Sequence, residues 1–498
     1  MRLWDFHIQI DPEASKPVFL QISHAVVEGI KSGRLSPGSP IPGTRTLAAT
    51  LSVHRKTVIR AYDELVAEGW ITSTPRWGMF VSSTIPELEP ASAHAVTAQR
   101  RDPFRIGFSL QPHLKEVGPL RAAPGVFNMG SRPDMRLAPR TALARAYRRA
   151  LTWSPESLLG YSDPRGNPDL RRALSAMLKS TRGMSTDSDD LIITRGSQMG
   201  LYLAARVLLK SGDVIAVENL GYPPAWEAFR QAGGRPVPVP VDEEGLRVDA
   251  LEAIFKRGRL KAVYVTPHHQ FPTMVTLTAG RRLALLEFAR RKGVAIIEDD
   301  YDHEFHYRGR PVLPLASMDR WGVVIYVGTL SKVLAPGLRL GYVAAPRPAL
   351  EQMTTHRIYI DHQGDHVLER ALADLMEDGE VQRHIRRARR IYQERQGAMV
   401  AALRNVLGEA LSFDVPAGGT TIWARVAAGI DPADWAARAA ERGVLIRPGV
   451  FFAVDGRSRP FVRLGYAGLN EKELREALKR LVEALPSNKK ARRAPRSR

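Results

Sequence analysis

Lys332 lies in the stretch Gly328-Thr-Leu-Ser-Lys-Val-Leu-Ala-Pro-Gly-Leu-Arg-Leu-Gly341, just after the apolar run Val323-Val-Ile-Tyr-Val327. A lysine at a strand end, flanked by the Ser331 hydroxyl and followed by Arg339, can hold an aldehyde as a Schiff base. Its amine must be un-ionised to attack, so desolvation and a cationic neighbour should lower its pKa. Arg339 is placed to be that neighbour or to pair with a phosphate.

Other apolar runs end in residues suited to the same chemistry. Leu191-Ile-Ile-Thr194 leads into Arg195-Gly-Ser-Gln198 and a helical pattern rich in Ala and Leu. A glycine turn that opens a helix aims backbone N–H groups and a positive dipole end at a phosphate. Val294-Ala-Ile-Ile297 runs into Glu298-Asp-Asp300, and a carboxylate at a strand end can keep a pyridine nitrogen protonated. Each signal alone has a plainer reading: a surface Ser-Lys pair, an ordinary α/β turn, a carboxylate that caps a helix or ligates a metal. Four such strand ends in one sheet carry more weight, because ligands of α/β sheets bind at the carboxyl ends of the strands.

The elements that must position these groups begin near residue 127, where short apolar runs alternate with helical stretches. That alternation predicts an α/β domain with a mainly parallel sheet. Ahead of it, residues 10–82 read as a separate unit. Phe19, Ile22, Val26 and Ile30 recur at helical spacing, the helix ends near Gly33, and Pro37-Gly38 marks a turn. Thr44 is expected to cap a short helix containing Leu47 and Leu51. A third helix carries Val58, Tyr62 and Leu65 on one face and stops at Gly69. Trp70-Ile-Thr72 and Met79-Phe-Val81 flank the Pro75-Arg-Trp-Gly78 turn as a hairpin would. Two short helices and a hairpin make a winged helix-turn-helix, which would enter the major groove of operator DNA through His54, Arg55 and Thr57.

That unit resembles the GntR-type DNA-binding domain, with Gln21, Ser32-Gly33-Arg34-Leu35, Pro37-Gly38, Arg45, Leu47-Ala48, Arg55, Thr57-Val58, Tyr62, Glu68-Gly69 and Gly78 in register. The resemblance implies DNA contacts from Arg45, His54, Arg55, Thr57 and Arg76. The chain departs from the pattern at Ser52, where a Gly is usual, at His54, where a Ser often caps the helix, and at Trp77. Residues 83–126 are rich in Pro, Ala and Ser and read as a linker.

From 127 to 485 the chain resembles the fold-type I, class I aminotransferases, which use pyridoxal 5′-phosphate (PLP). Tyr161, Gly196-Ser-Gln198, Gly221-Tyr-Pro223, Thr266-Pro-His-His-Gln-Phe-Pro272, Glu298-Asp-Asp-Tyr301, Ser331-Lys332, Arg339 and Arg463 take family positions. The resemblance implies Lys332 as the Schiff-base lysine, Asp299 as partner of the pyridine nitrogen, Tyr222 stacked on the ring and Tyr301 near the phenolic oxygen. It implies Ser197, Gln198 and Arg339 at the phosphate, with Tyr161 reaching in from a second subunit. Arg463 would bind a substrate or effector carboxylate. The chain departs where aminotransferases have an Asn before Pro-Thr-Gly: here Phe271 stands, and Met274 replaces the Gly. Loss of that polar contact would lower catalytic competence.

His269-Gln-Phe-Pro272 and Glu298-Asp-Asp-Tyr-Asp302 are similar to the MocR branch of the GntR regulators, which joins these same two domains. Two functions follow. One is a PLP-dependent regulator, homodimeric, that senses an amine, an amino acid or PLP itself; its aminotransferase-like domain would keep at most residual transaminase activity. The other is a working aminotransferase with an accessory DNA-binding domain.

Composition bounds both. The 498 residues are enough for two or three domains, and 44% hydrophobic with 25% charged residues is ordinary for a globular chain. The absence of cysteine excludes disulfides, thiolate metal sites and a cysteine nucleophile. No apolar run reaches a membrane span, and Met1-Arg-Leu-Trp-Asp-Phe6 lacks a signal h-region, so a cytoplasmic location without membrane contact is expected. The net charge of +20 points to a polyanionic partner. Nine Lys/Arg against seven Asp/Glu leave residues 1–85 with only +2, whereas the tail 486–498 holds six Lys/Arg and no acid. Runs such as Arg281-Arg282, Arg290-Arg-Lys292 and Arg386-Arg-Ala-Arg-Arg390 read either as solvated helix faces or as a surface along which DNA lies. Deleting 486–498 should flatten the salt dependence of DNA binding, because a basic tail releases counterions; an unaltered slope in a gel-shift titration assigns the tail to solubility alone.

Overall fold

In the computed structural model the described residues are 8–11, 14, 16–74, 77–84, 125–130, 132–153 and 155–486. Arg76, most of the expected linker and the tail from 487 lie outside them. The chain divides into two compact units on either side of residue 113.

The first unit begins with α1 (Val18–Lys31), followed by β1 (Pro40–Ile41), α2 (Thr44–Thr50), α3 (Arg55–Ala67), β2 (Ile71–Thr74) and β3 (Gly78–Val81). Ile22, Val26, Ile30, Val58, Tyr62 and Leu65 close one apolar core, as their spacing predicts. β2 and β3 pair antiparallel as the expected hairpin, and β1 adds a third strand against β3, which the two apolar residues at 40–41 were too few to signal. Two details differ from expectation. Gly43, not Thr44, occupies the cap position of α2 and makes no side-chain cap; Thr44 is already helical, and Leu51 falls just beyond the helix end. His54 does the work of the usual Ser at α3: its backbone is extended and its Nδ1 accepts the Lys56 N–H at 3.2 Å, satisfying one donor that a helix start leaves orphaned.

The second unit is built on β4 (Leu191–Thr194), β5 (Val214–Glu218), β6 (Arg235–Val239), β7 (Leu260–Val265), β8 (Ala295–Asp300), β9 (Val324–Thr329) and β10 (Gly341–Ala344). Among the described residues these form one seven-stranded sheet in the order β4-β10-β9-β8-β7-β5-β6. The pairings are parallel except for those of β10, which runs antiparallel to both neighbours. β5, β9 and β10 are buried along their whole length, which is why such strands read as continuous apolar runs rather than alternating ones. The 28-residue helix Glu380–Leu407 leads to a smaller antiparallel sheet of β11 (Leu411–Ser412), β12 (Thr421–Val426), β13 (Arg447–Pro448) and β14 (Phe461–Gly465). Helices Pro432–Glu441 and Glu471–Glu483 share its core through Trp435, Leu474, Leu478 and Leu481.

The basic runs separate on inspection of their partners. Arg282 is buried and donates to the carbonyl oxygens of Leu277, Leu313 and Pro267, each at 2.7 Å, so it belongs to neither surface reading. Arg281 pairs with Asp242, Arg290 with Glu287 and Lys292 with Glu252. Arg386, Arg387, Arg389 and Arg390 are exposed along the long helix. No helix among the described residues is long and apolar enough to cross a membrane.

Candidate functional site

β8 ends in Glu298, Asp299 and Asp300, three buried carboxylates in a row with three different occupations. Side chains alternate across a strand, so Asp299 faces away from its two neighbours. Glu298 accepts the backbone N–H groups of Leu315 and Ala316 at 2.7 and 2.9 Å, a helix-capping role, and burial lifts its carboxyl to about 7. Asp300 accepts the Tyr326 hydroxyl at 2.6 Å and lies 3.4 Å from Arg182 Nε. Burial alone would raise it, but His303 and Arg182 hold it well below the usual carboxylate range. Asp299 has no such answer. Its Oδ2 accepts the Tyr264 hydroxyl at 2.9 Å, its Oδ1 is buried without a hydrogen-bond partner, and burial pushes the carboxyl up to about 7.

Lys332 follows β9. Desolvation, then the Arg463 cation, lower its amine to about 8; Asp302 opposes this, Arg132 adds to it, and Asp299 opposes again. The cations that lower the lysine are therefore Arg463 and Arg132, and the reading left to Arg339 is the phosphate one. Arg339 has φ +50, an uncommon conformation for a residue with a Cβ, and its Nη2 donates to the Arg195 carbonyl at 3.0 Å. That fold brings its guanidinium against Gly196, where a Cβ would meet Arg339 Nη2 at 2.8 Å. From the other side a Cβ on Gly341 would fall 2.6 Å from Ser197 N. The helix Ser197–Leu208 starts here, with its first N–H groups lacking intrahelical acceptors. Gln198 donates through Nε2 to Pro224 O at 2.7 Å and keeps a buried Oε1 without a partner.

An aromatic wall closes the pocket. Phe271 packs edge-on against Tyr222 (5.4 Å between centroids), Tyr301 (5.9 Å) and Phe452 (5.5 Å). The Arg463 guanidinium lies 4.2 Å above the Phe271 ring. Arg463 comes from β14 and is buried, yet its Nε and Nη2 have no hydrogen-bond partners. Met274, where the family pattern has Gly, adopts φ +69, and its sulfur sits 3.8 Å from the Tyr301 hydroxyl and 3.5 Å from Thr421 Oγ1. Burial pushes the Tyr222 phenol up to about 12, with Asp299 and Arg339 both acting on it.

Lys332, Asp299, Tyr301, Tyr222, Arg463 and Arg339 are thus gathered in one place, with Ser197 and Gln198 beside Arg339. Tyr161 is elsewhere in this chain: 90% exposed, its ring 5.4 Å from that of His362. In the first unit Arg45, His54 and Arg55 are exposed and Thr57 half-exposed, and Arg55 Nε donates to Thr44 Oγ1 at 3.3 Å. Sequence reasoning missed Tyr264, Arg132 and Glu218. Glu218 is buried at the end of β5, raised by burial to about 7 despite accepting the Thr266 hydroxyl at 2.7 Å. The run Val214-Ile-Ala-Val-Glu218 ends as β8 does, and that was a legible signal.

These residues fit PLP. A protonated pyridine nitrogen would satisfy the orphaned Asp299 Oδ1, the close approach of Arg339 to Gly196 at a helix start would suit a phosphate, and Lys332 would supply the amine.

The comparisons with known proteins agree with this layout. Residues 132–481 match the family described as aminotransferase class I and II, and residues 19–81 match the bacterial regulatory proteins of the gntR family. The chain is 32% identical over 486 residues to the probable rhizopine catabolism regulatory protein MocR of Rhizobium meliloti, covering 95% of each. It is 33% identical over 480 residues to the HTH-type transcriptional regulator TauR of Rhodobacter capsulatus, covering 93% of this chain and 96% of the other. Among solved structures it resembles LysN, the α-aminoadipate aminotransferase of Thermus thermophilus, in complex with N-(5′-phosphopyridoxyl)-L-leucine. The TM-score is 0.68 at 30% identity, covering 72% of this chain and 92% of that one.

A lysine titrating near 8 has a distinct reactivity. In cofactor-free protein, modification of Lys332 by an amine reagent, followed by peptide mass spectrometry, should accelerate up to about pH 8 and then level. Exposed lysines should continue to accelerate towards about pH 10.4.

Proposed function

The chain belongs to the GntR-family transcriptional regulators of MocR type, which carry an aminotransferase class I and II domain, and from that premise we propose that it is a PLP-dependent sensor. In this reading the winged domain binds operator DNA through α2 and α3, and the large domain holds PLP at Lys332 and recognises a small amine or amino acid.

The observation that carries the proposal is a buried carboxyl and a buried cation, each with an unanswered hydrogen-bonding atom, both acting on one desolvated lysine. An unpaired buried donor costs about 1–3 kcal/mol. A planar carboxylate matches the fork of Arg463 and removes that cost. Asp299 receives the pyridine N–H, and Tyr264 holds the carboxylate in place. When bound, PLP supplies the aldehyde with which an incoming amine condenses and a ring that withdraws electrons. Ser197, Gln198 and Arg339 bind its phosphate, and Tyr222 and Tyr301 enclose the ring. A ligand switches the regulator only through different affinity for its two states. An amino acid whose carboxylate engages Arg463 would change the partners of Arg463 and the surroundings of Lys332.

Phe271 favours sensing over turnover. Where aminotransferases place an amide, this chain presents an apolar ring packed on Tyr222 and Tyr301. The second reading, an active aminotransferase, rests on the completeness of the remaining site. The segment 160–163 joins 359–363 through Gln363, which accepts from Ser162 N and donates to Gly160 O. Tyr161, Tyr359 and Ile360 stand exposed there, supporting a homodimer in which Tyr161 completes the partner's site.

Adding candidate amino acids and a keto acid to the PLP-loaded protein distinguishes the readings. A shift of the cofactor absorbance without turnover is expected; sustained ketone production at enzyme-like rates overturns the sensor reading. Arg463→Gln should weaken the response to amino acids about 10- to 100-fold, the value of a hydrogen bond to a charged group, while sparing the corresponding decarboxylated amines. Arg55→Ala should cost about 1–3 kcal/mol of specific operator binding in a gel-shift titration, and unchanged affinity rejects the recognition-helix assignment.

A further inference from the structure

We propose that His268, His269 and His306 form a buried site for a divalent first-row transition metal of the zinc class, next to the Lys332 pocket and made of other residues. One ring nitrogen from each of the three lies within 4.8 Å of the others, and the residues are 6%, 1% and 7% exposed. Both nitrogens of His268, Nε2 of His269 and Nδ1 of His306 are buried without hydrogen-bond partners. Packed imidazoles normally satisfy at least one nitrogen, because a buried polar atom left alone is costly.

The surroundings have the form of a ligand shell. His269 Nδ1 lies 2.8 Å from Asp302 Oδ1, which fixes the ring orientation and turns Nε2 away as the donor atom. A carboxylate behind a ligating histidine is the usual outer-shell support of a metal. The His269 imidazole faces Gly418, where a Cβ would meet its Nε2 at 2.9 Å, so only glycine leaves that edge open. His303 stacks beside His268 with centroids 4.6 Å apart and is the nearest candidate for a fourth nitrogen. The charged groups facing the cluster are Asp300, Asp302 and, at His306, Arg389. Imidazole nitrogens suit zinc, copper, nickel and cobalt. A zinc ion at 2.0–2.1 Å from each nitrogen needs them roughly 3.4 Å apart, and rotation of the His268 ring, which no hydrogen bond restrains, closes much of the difference.

The placement links parts of the large domain. His268 and His269 follow β7 and lead to Phe271, His306 follows β8, and His306 bridges to Gly418 beside the small sheet. An ion there ties together the loop that carries Phe271, the segment after Asp302 and the edge of the small sheet.

The site is tested on the full-length chain without a polyhistidine tag, stripped with chelator, dialysed against Zn2+ or Co2+ and analysed by elemental mass spectrometry. About one ion per chain is expected, together with visible Co2+ absorption and a rise in thermal midpoint that chelator reverses. His268→Gln combined with His306→Gln should abolish binding with unchanged far-UV circular dichroism, and Asp302→Asn should weaken it about 10- to 100-fold. Wild-type protein that binds no more metal than the double variant overturns the proposal, as does a double variant with wild-type affinity. Should the double variant not fold, Cu2+ electron paramagnetic resonance of the wild type decides: nitrogen hyperfine structure from imidazoles supports the site, and its absence removes it. Metal content is read without PLP, so the outcome is independent of the sensor proposal.

Discussion

Asp299 cannot be both buried and alone. A carboxylate removed from water at the end of a central parallel strand is held by a single hydroxyl, that of Tyr264, and its other oxygen faces the pocket without a donor. Desolvation of an unpaired charge costs more than any one hydrogen bond returns. The local solution is partial neutralisation, visible in a carboxyl lifted to about 7, and the full solution is a protonated ligand atom. Much of the site can be read as consequence. Lys332 and Arg463 are buried at the same site, and desolvation lowers both.

The neighbouring carboxylates show how much the outcome depends on partners rather than on residue type. Glu298, Asp299 and Asp300 are consecutive, equally buried and chemically alike. One caps a short helix, one joins an ion pair with Arg182, and one is left for a ligand. Alternation along the strand decides which faces the pocket, and the elements packed on each face decide what it meets. The aromatic wall follows the same logic: Phe271 meets edge-on rings on three sides and a cation above its face.

Much of this was legible beforehand for definite reasons. The winged unit could be read because its core residues repeat at helical spacing and its glycines sit where positive φ is required, as at Gly33 and Gly69. The large sheet could be read because strands buried on both faces must be apolar throughout. Lys332, Asp299 and Arg339 could be singled out because each terminates or follows such a run. Tyr264 could not: it lies inside an apolar strand, indistinguishable from core until its hydroxyl is seen at Asp299. Arg282 was misleading for the opposite reason, since a basic run carries no sign of which member points inward to three carbonyl oxygens.

The sequence by itself determined the two domains, the sheet and the chemistry available at its strand ends, because periodicity, glycine placement and residue type are local properties. Tertiary structure alone decided which cations lower the lysine and which of three acids has a single hydroxyl as its partner. It also decided that Arg339 lies by the helix start and that His306 shares one buried space with histidines 37 and 38 positions before it. Those are questions of distance and desolvation between residues far apart along the chain, and no spacing within a segment encodes them.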